Sequence, residues 1–179
     1  LQKAAELSVK NFHNKAAAAY YERLLKIMAD ELKAGGIGKD NGRALIENME
    51  GALCEKGKIL EVTGDWDEAQ SAFDEALKLS LRMRDKKRTA NATLYCGIIA
   101  SCKGDFKKSL NYLFKSLQLY ESLNDDYGVS KVAGHMGYIY MSVNQLDKSL
   151  ECFNKKLKIC RRRGDEIGIS HAIGNLGII

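Results

Sequence analysis

Three histidines, five cysteines and one glycine-rich stretch are the parts of this 179-residue chain whose chemistry could be catalytic or metal-binding. His13, His135 and His171 do not form an H-E-x-x-H pair, the helical spacing that puts two imidazoles on one face to hold zinc. Cys54, Cys96, Cys102, Cys152 and Cys160 form no C-x-x-C, and none has a sequence-adjacent histidine to act as its base. The run Gly35-Gly36-Ile37-Gly38-Lys39-Asp40 looks at first like a phosphate loop. A phosphate loop needs G-x4-G-K followed by Ser or Thr, after a strand, whereas here an aspartate follows the lysine and a helical pattern precedes the glycines. The stretch reads as a linker. No catalytic residue, no metal ligand set and no cofactor site is expected, so the chain is read as a non-enzyme.

The elements that would position any other function are helical. Apolar residues make up 45% and charged residues 28%, a balance that suits a folded chain, and there is no proline to break a helix. No apolar run approaches a membrane span, so no membrane partner is expected. The scattered, odd-numbered thiols suggest a reducing compartment and a cytoplasmic setting. Asn91-Ala92-Thr93 matches a glycosylation sequon by chance, since it falls on a predicted helix. The net charge of +5 concentrates in Arg82–Arg88 and Arg161–Arg163, near helix ends where cations offset the macrodipole. The chain opens at Leu1 inside a helical pattern and stops partway through another unit, as an excised fragment would.

Periodicity dominates the rest. Gly57, Gly97, Gly137 and Gly177 recur every 40 residues, in register with Trp66/Phe106/Leu146, Phe73/Leu113/Phe153, Leu77/Leu117/Leu157 and Asp85/Asp125/Asp165. Self-similarity at such a period marks a solenoid, in which each unit buries its apolar face against its neighbours. The expected fold is all-α, a right-handed superhelical solenoid of antiparallel helix pairs. Gly64, Gly104 and Asn144 suit the left-handed end of each first helix, and Asp65 offers a cap for the second. Small residues Ala69, Ser109 and Ser149 fall where paired helices cross closely, as do the spaced glycines. The boundaries are read as a degenerate helical pair over 1–33, a Gly-rich linker over 34–42, and an array over 43–179. Its repeats cover about 43–85, 86–125 and 126–165, with the first helix of a fourth at 166–179. In the opening pair Ala16-x3-Tyr20-x3-Leu24 copies the second-helix face, 53 residues before Leu77, which implies an inserted loop.

Leu53-x2-Lys56-Gly57-x2-Leu60…Ala69-x3-Phe73 and Ala133-x2-Met136-Gly137-x2-Tyr140…Ser149-x3-Phe153 follow the spacing W-x2-L-G-x2-Y…A-x3-F. On these residues the chain resembles the tetratricopeptide repeat across 43–179, lengthened as in kinesin light chains and in the cell-polarity adaptor that binds G-protein subunits. The consensus tryptophan and the terminal proline are missing from every unit. The opening, from Leu1-Gln2-Lys3 to Leu24-Leu25, is similar to the segment after the ATPase module in bacterial multidomain signalling proteins, some of them cyclases or transcriptional regulators. That second resemblance implies a sensor or regulatory arm of a larger enzyme.

In tetratricopeptide arrays the first helices line a concave face, and the resemblance carries that role onto Lys58, Asn91, Leu94, Tyr95, Ile98, Lys131, His135, Tyr138, His171 and Asn175. A clamp of lysines and asparagines for a terminal carboxylate is not preserved, because Leu94, Ile98 and Gly134 stand in its place. Aromatic, apolar and a few basic groups suit an extended or helical peptide, so the expected partner is a protein or peptide segment. Self-association through open array ends is a further expectation. Nucleic acid ranks last as a partner: its recognition would need basic side chains at every repeat of the groove, and only Lys58, Lys131 and His171 supply them.

Overall fold

The computed structural model describes residues 14–34 and 39–179. Eight helices are present among them, and no strand: α1 Asn14–Lys33, α2 Lys39–Thr63, α3 Trp66–Met83, α4 Lys86–Cys102, α5 Phe106–Ser122, α6 Asp126–Ser142, α7 Leu146–Arg163 and α8 Glu166–Leu176. From α2 onward they alternate as first and second members of pairs. The chain divides into two compact units, Leu1–Ala92 and Thr93–Ile179, with the division inside α4.

Every break between helices α2 to α8 uses one device. Gly64, Arg84, Gly104, Asn124, Asn144 and Gly164, spaced 20 residues apart, all take positive φ. At each, the left-handed residue donates its N–H three residues back, and the following residue donates five back, as in Asp65 N–H to Leu60 O at 2.9 Å and Asp165 N–H to Cys160 O at 3.0 Å. This pair of bonds satisfies carbonyls that a helix end would otherwise orphan. Asn144 takes the glycine's role as its sequence position predicts. The next helix then starts on a capping carboxylate: Asp85, Asp105, Asp125 and Asp165 accept from the N–H groups of Arg88, Lys108, Gly128 and Gly168 at 2.9–3.0 Å. Asp65 behaves differently. It holds the cap position, but its carboxylate accepts from the Thr63 hydroxyl at 2.6 Å and from no helix N–H.

The spaced glycines sit where the paired helices touch. A Cβ on Gly57 would stand 2.6 Å from the Phe73 ring, and one on Gly137 would stand 2.8 Å from Phe153. Both rings are fully buried. At Gly97 the facing side chain is Leu113, and the same Cβ would lie 3.1 Å away. Ser109 and Ser149 cross at these points and donate to the carbonyls of Gly97 and Gly137 at 2.6 and 2.8 Å. Trp66 departs from the expected apolar face: it opens α3 with 40% of its surface exposed.

Two expectations about the opening change. α2 begins at Lys39, inside the stretch read as linker, so Lys39–Gly42 are helical. The additional residues lengthen α2 to 25 residues; nothing there forces a break, since one glycine costs only about 1 kcal/mol and Arg43 pairs with Glu47 one turn on at 3.1 Å. The inward face of α1 is also one residue later than its sequence pattern suggests. Ala17 and Tyr21 are buried with Ala52 and Ile59, while Ala16 is exposed. Ala17-x3-Tyr21-x3-Leu25 therefore matches Ala69-x3-Phe73-x3-Leu77, 52 residues apart. Residues 1–13, which would hold the first helix of the opening pair and include His13, and residues 35–38 lie outside the described residues.

Candidate interaction face

Among the described residues, the cysteines and histidines do not converge on one site. Burial pushes the thiols of Cys54, Cys152 and Cys160 above their ordinary range, with Glu50, Glu151 and Asp165 adding to it in turn. A raised thiol is a poor source of thiolate. Among the described residues no three His, Cys, Asp or Glu side chains converge to hold a metal ion, and no helix is long and apolar enough to cross a membrane.

In the second unit, six of the predicted groove residues form two contacting sets: Tyr95, Lys131 and His135, and Tyr138, His171 and Asn175. Lys131 on α6 holds its ammonium 5.3 Å from the centre of the Tyr95 ring, on α4, and 5.6 Å from Tyr127, one turn back on its own helix. The Arg163 guanidinium lies over the other ring of this set, 5.1 Å from the centre of Tyr127. A cation on an aromatic face gains about 0.5–1 kcal/mol at such exposed positions and fixes both side chains. Tyr138, 43% exposed, stands edge-on to Phe153 with ring centres 5.3 Å apart at 83°. Its hydroxyl accepts from the Asn175 amide at 2.9 Å, and that same amide donates to the His171 carbonyl at 2.7 Å. His135, one turn after Lys131 on α6, is half-buried. Burial, then the charges of Lys131 and Lys156, bring its pKa down to about 4, so the imidazole is neutral near pH 7.

The other predicted residues fall differently. Leu94 has no exposed surface and Ile98 only 7%, so both are core side chains here and offer nothing to a ligand. The reason is the packing around them: Cys96, Ile99 and Ala100 are apolar too, and α4 is buried nearly all round between Ala90 and Ala100. Asn175, at 7%, acts through Tyr138 rather than by its own surface. Lys58 and Asn91 belong to the first unit; Lys58 is half-buried and pairs with Glu55 at 2.6 Å. Three participants escape the sequence reading: Tyr127, Lys156 and Arg163. Tyr127 is detectable as the i−4 neighbour of Lys131. Arg163 reads as a helix-end charge, and only the tertiary structure brings it to a ring.

The pattern of the Tetratricopeptide repeat matches residues 48–122 and again 130–162, together more than half of the chain. No curated protein matches the sequence. Among solved structures, BtubC (BKLC) from P. vanneervenii superposes with a TM-score of 0.71 at 18% identity, over 97% of this chain and 70% of that one. Aspartyl phosphate phosphatase F from Bacillus subtilis gives 0.80 at 12% identity, over 96% of this chain and 42% of that one. A Rap protein complexed with competence and sporulation factor gives 0.70 at 17% identity, covering 96% and 44%. This chain thus spans under half the length of the latter two. At such identities the likeness is one of fold: an all-α array of helix pairs.

Proposed function

Because the chain belongs to the tetratricopeptide-repeat family, we propose that it is a non-catalytic interaction module that takes a peptide or protein segment on the α6 and α8 face of its second unit. The observation that carries this reading is Tyr138. It is a large aromatic side chain left 43% exposed, yet it is held on one side by Phe153 and at its hydroxyl by Asn175. Side chains fixed before binding lose little entropy on binding, and aromatic anchors of this kind carry much of the energy of protein interfaces. Lys131, two turns earlier on α6, adds a cation whose position is set by two tyrosines. The contacting set narrows to Tyr95, Lys131, His135, Tyr138 and His171, with Asn175 as positioning residue.

A structural neighbour solved with a bound factor supports a binding role for arrays of this build. The reading as a cytoplasmic signalling scaffold, able to self-associate through its open ends, rests on the scattered thiols and the repeat pattern. The alternative, a regulatory arm of a cyclase- or ATPase-linked protein, rests on residues 1–25, half of which lie outside the described residues.

Affinity capture with the 179-residue chain tests the proposal. Tyr138→Ala and Lys131→Glu should each lose the captured partner, while Lys107→Glu, an exposed change on α5, keeps it. Lys131→Glu should melt within a few degrees of the parent. Capture that survives both changes would overturn the assignment of this face.

A further inference from the structure

The first unit contains a walled trough that the interaction face does not use. A cavity of about 470 Å³ opens between α1 and α3, with Leu53 and Ala72 among its lining. A second, of about 240 Å³, continues it along α1 as far as Asn14, over Ile59 and Leu60. The two share Glu22 and Glu68. Between Asn14 and Leu25 the helical rise gives a length of about 16 Å, enough for three turns of a docked helix.

Its floor is apolar and its rim acidic. Leu53, Leu60 and Ala72, at least 95% buried, form the base, and half-buried Ala18 and Leu25 of α1 supply the apolar surface a ligand touches. Glu22, Glu68, Glu75 and Asp65 stand around them, against Lys15 and Lys56. Lys56 answers only Glu22, at 3.4 Å, and among the described residues Glu68 and Glu75 enter no ion pair. This negative rim occurs in a chain of net charge +5. It is also no requirement of the repeat. Forty residues on, the positions of Glu68 and Glu75 are Lys108 and Lys115; eighty on, they are Lys148 and Lys155. The carboxylates therefore belong to this trough and not to the architecture.

We infer that the trough between α1 and α3 docks an amphipathic, lysine- or arginine-bearing helical segment of a partner protein, its apolar stripe on Ala18 and Leu25 and its cations at Glu68 and Glu75. Charge complementarity identifies this occupant: an acidic or purely apolar helix would leave the rim unpaired or repelled.

The test uses the full chain and two fluorescein-labelled twelve-residue probes with leucines at helical spacing, one otherwise lysine and one otherwise glutamate, read by anisotropy. The lysine probe should bind at least tenfold tighter than the glutamate probe. Glu68→Lys with Glu75→Lys should weaken it at least tenfold, and Ser71→Trp, which fills the trough from its exposed rim, should do the same. Asp147→Lys with Glu151→Lys makes an equal change of net charge on α7 and should leave binding unchanged, as should Tyr138→Ala. Equal losses in the α3 and α7 charge pairs, equal binding of both probes, or no binding would each overturn the inference. Circular dichroism confirms that the exposed substitutions leave the helices intact.

Discussion

The two compact units close the same helix crossing over different interiors. In the first, Ala69 takes the position that Ser109 and Ser149 hold later, and the polar chemistry is ionic. Glu50, 2% exposed, accepts from Arg88 at 2.5 Å and from the Cys54 thiol at 3.2 Å, while Arg88 also reaches the Glu47 carbonyl at 3.3 Å. In the second, serine hydroxyls bond to the glycine carbonyls instead, and a neutral imidazole occupies the half-buried position. Where the first unit has Arg88 beside Ser80, the later repeats have Gly128 beside Tyr120 and Gly168 beside Cys160. Bulk moves from one side of the crossing to the other while the backbone keeps its register. The backbone turns are thus set independently of what fills them. A repeat tolerates a buried charge in one copy and none in the next.

Removing one partner of the buried pair should have the largest effect. Arg88→Met leaves the Glu50 carboxylate buried without its cation, a loss of about 3 kcal/mol in urea unfolding, toward the lower end for such pairs because Arg88 keeps a solvent edge. Adding Glu50→Gln should recover part of that loss. A double mutant no more stable than Arg88→Met alone would show that the pair is not coupled.

The contrasting interior predicts acid sensitivity in the second unit. His135 has a folded pKa of about 4 against 6.5 unfolded. Between these values the unfolded chain binds the proton and the folded chain does not. Stability is therefore complete above pH 6.5, falls as the pH drops toward 4, and levels below it. The loss should reach about 2 kcal/mol once solvent screening of a half-buried group is allowed for. His135→Gln should remove that part of the slope; an unchanged slope would place the acid response elsewhere.

A smaller contrast separates the glycines. Gly57→Ala drives a methyl into the immobile Phe73 ring, and overpacking outweighs the gain in helix propensity by about 1–2 kcal/mol. Gly97→Ala meets Leu113 at 3.1 Å and the Tyr112 Cβ at 3.2 Å, contacts that a shift of a few tenths of an ångström relieves, so its melting temperature should fall less than that of Gly57→Ala. Equal destabilisation at both sites would refute the role given to the Phe73 ring.

The helix-pair fold is legible in the sequence because it rests on local rules repeated in phase: a left-handed residue, a capping aspartate, and a glycine opposite Phe73 or Phe153. The opening is less legible. Its run of four alanines, Ala16–Ala19, carries no mark of which one faces inward, so a pattern based on Tyr20 fits almost as well as the true one based on Tyr21. The residues of the proposed interaction face are legible in part. Lys131 and Tyr138 follow from the register, but Leu94 and Ile98 occupy groove positions by number and core positions by contact. Whether a side chain at a given register stays exposed depends on the neighbours packed against it, and a repeat alignment does not contain them.

The turns at 64, 84, 104, 124, 144 and 164 have one last consequence. A block cut between the turns at 84, 124 and 164 begins on a capping aspartate and ends on a left-handed residue. Losing or copying forty residues there would shorten or extend the array and keep the same main-chain bonds at the splice. Length in such a chain is a quantity that genetic duplication can adjust in whole steps, while Arg88, His135 and Glu68 show how each copied step can then acquire its own character.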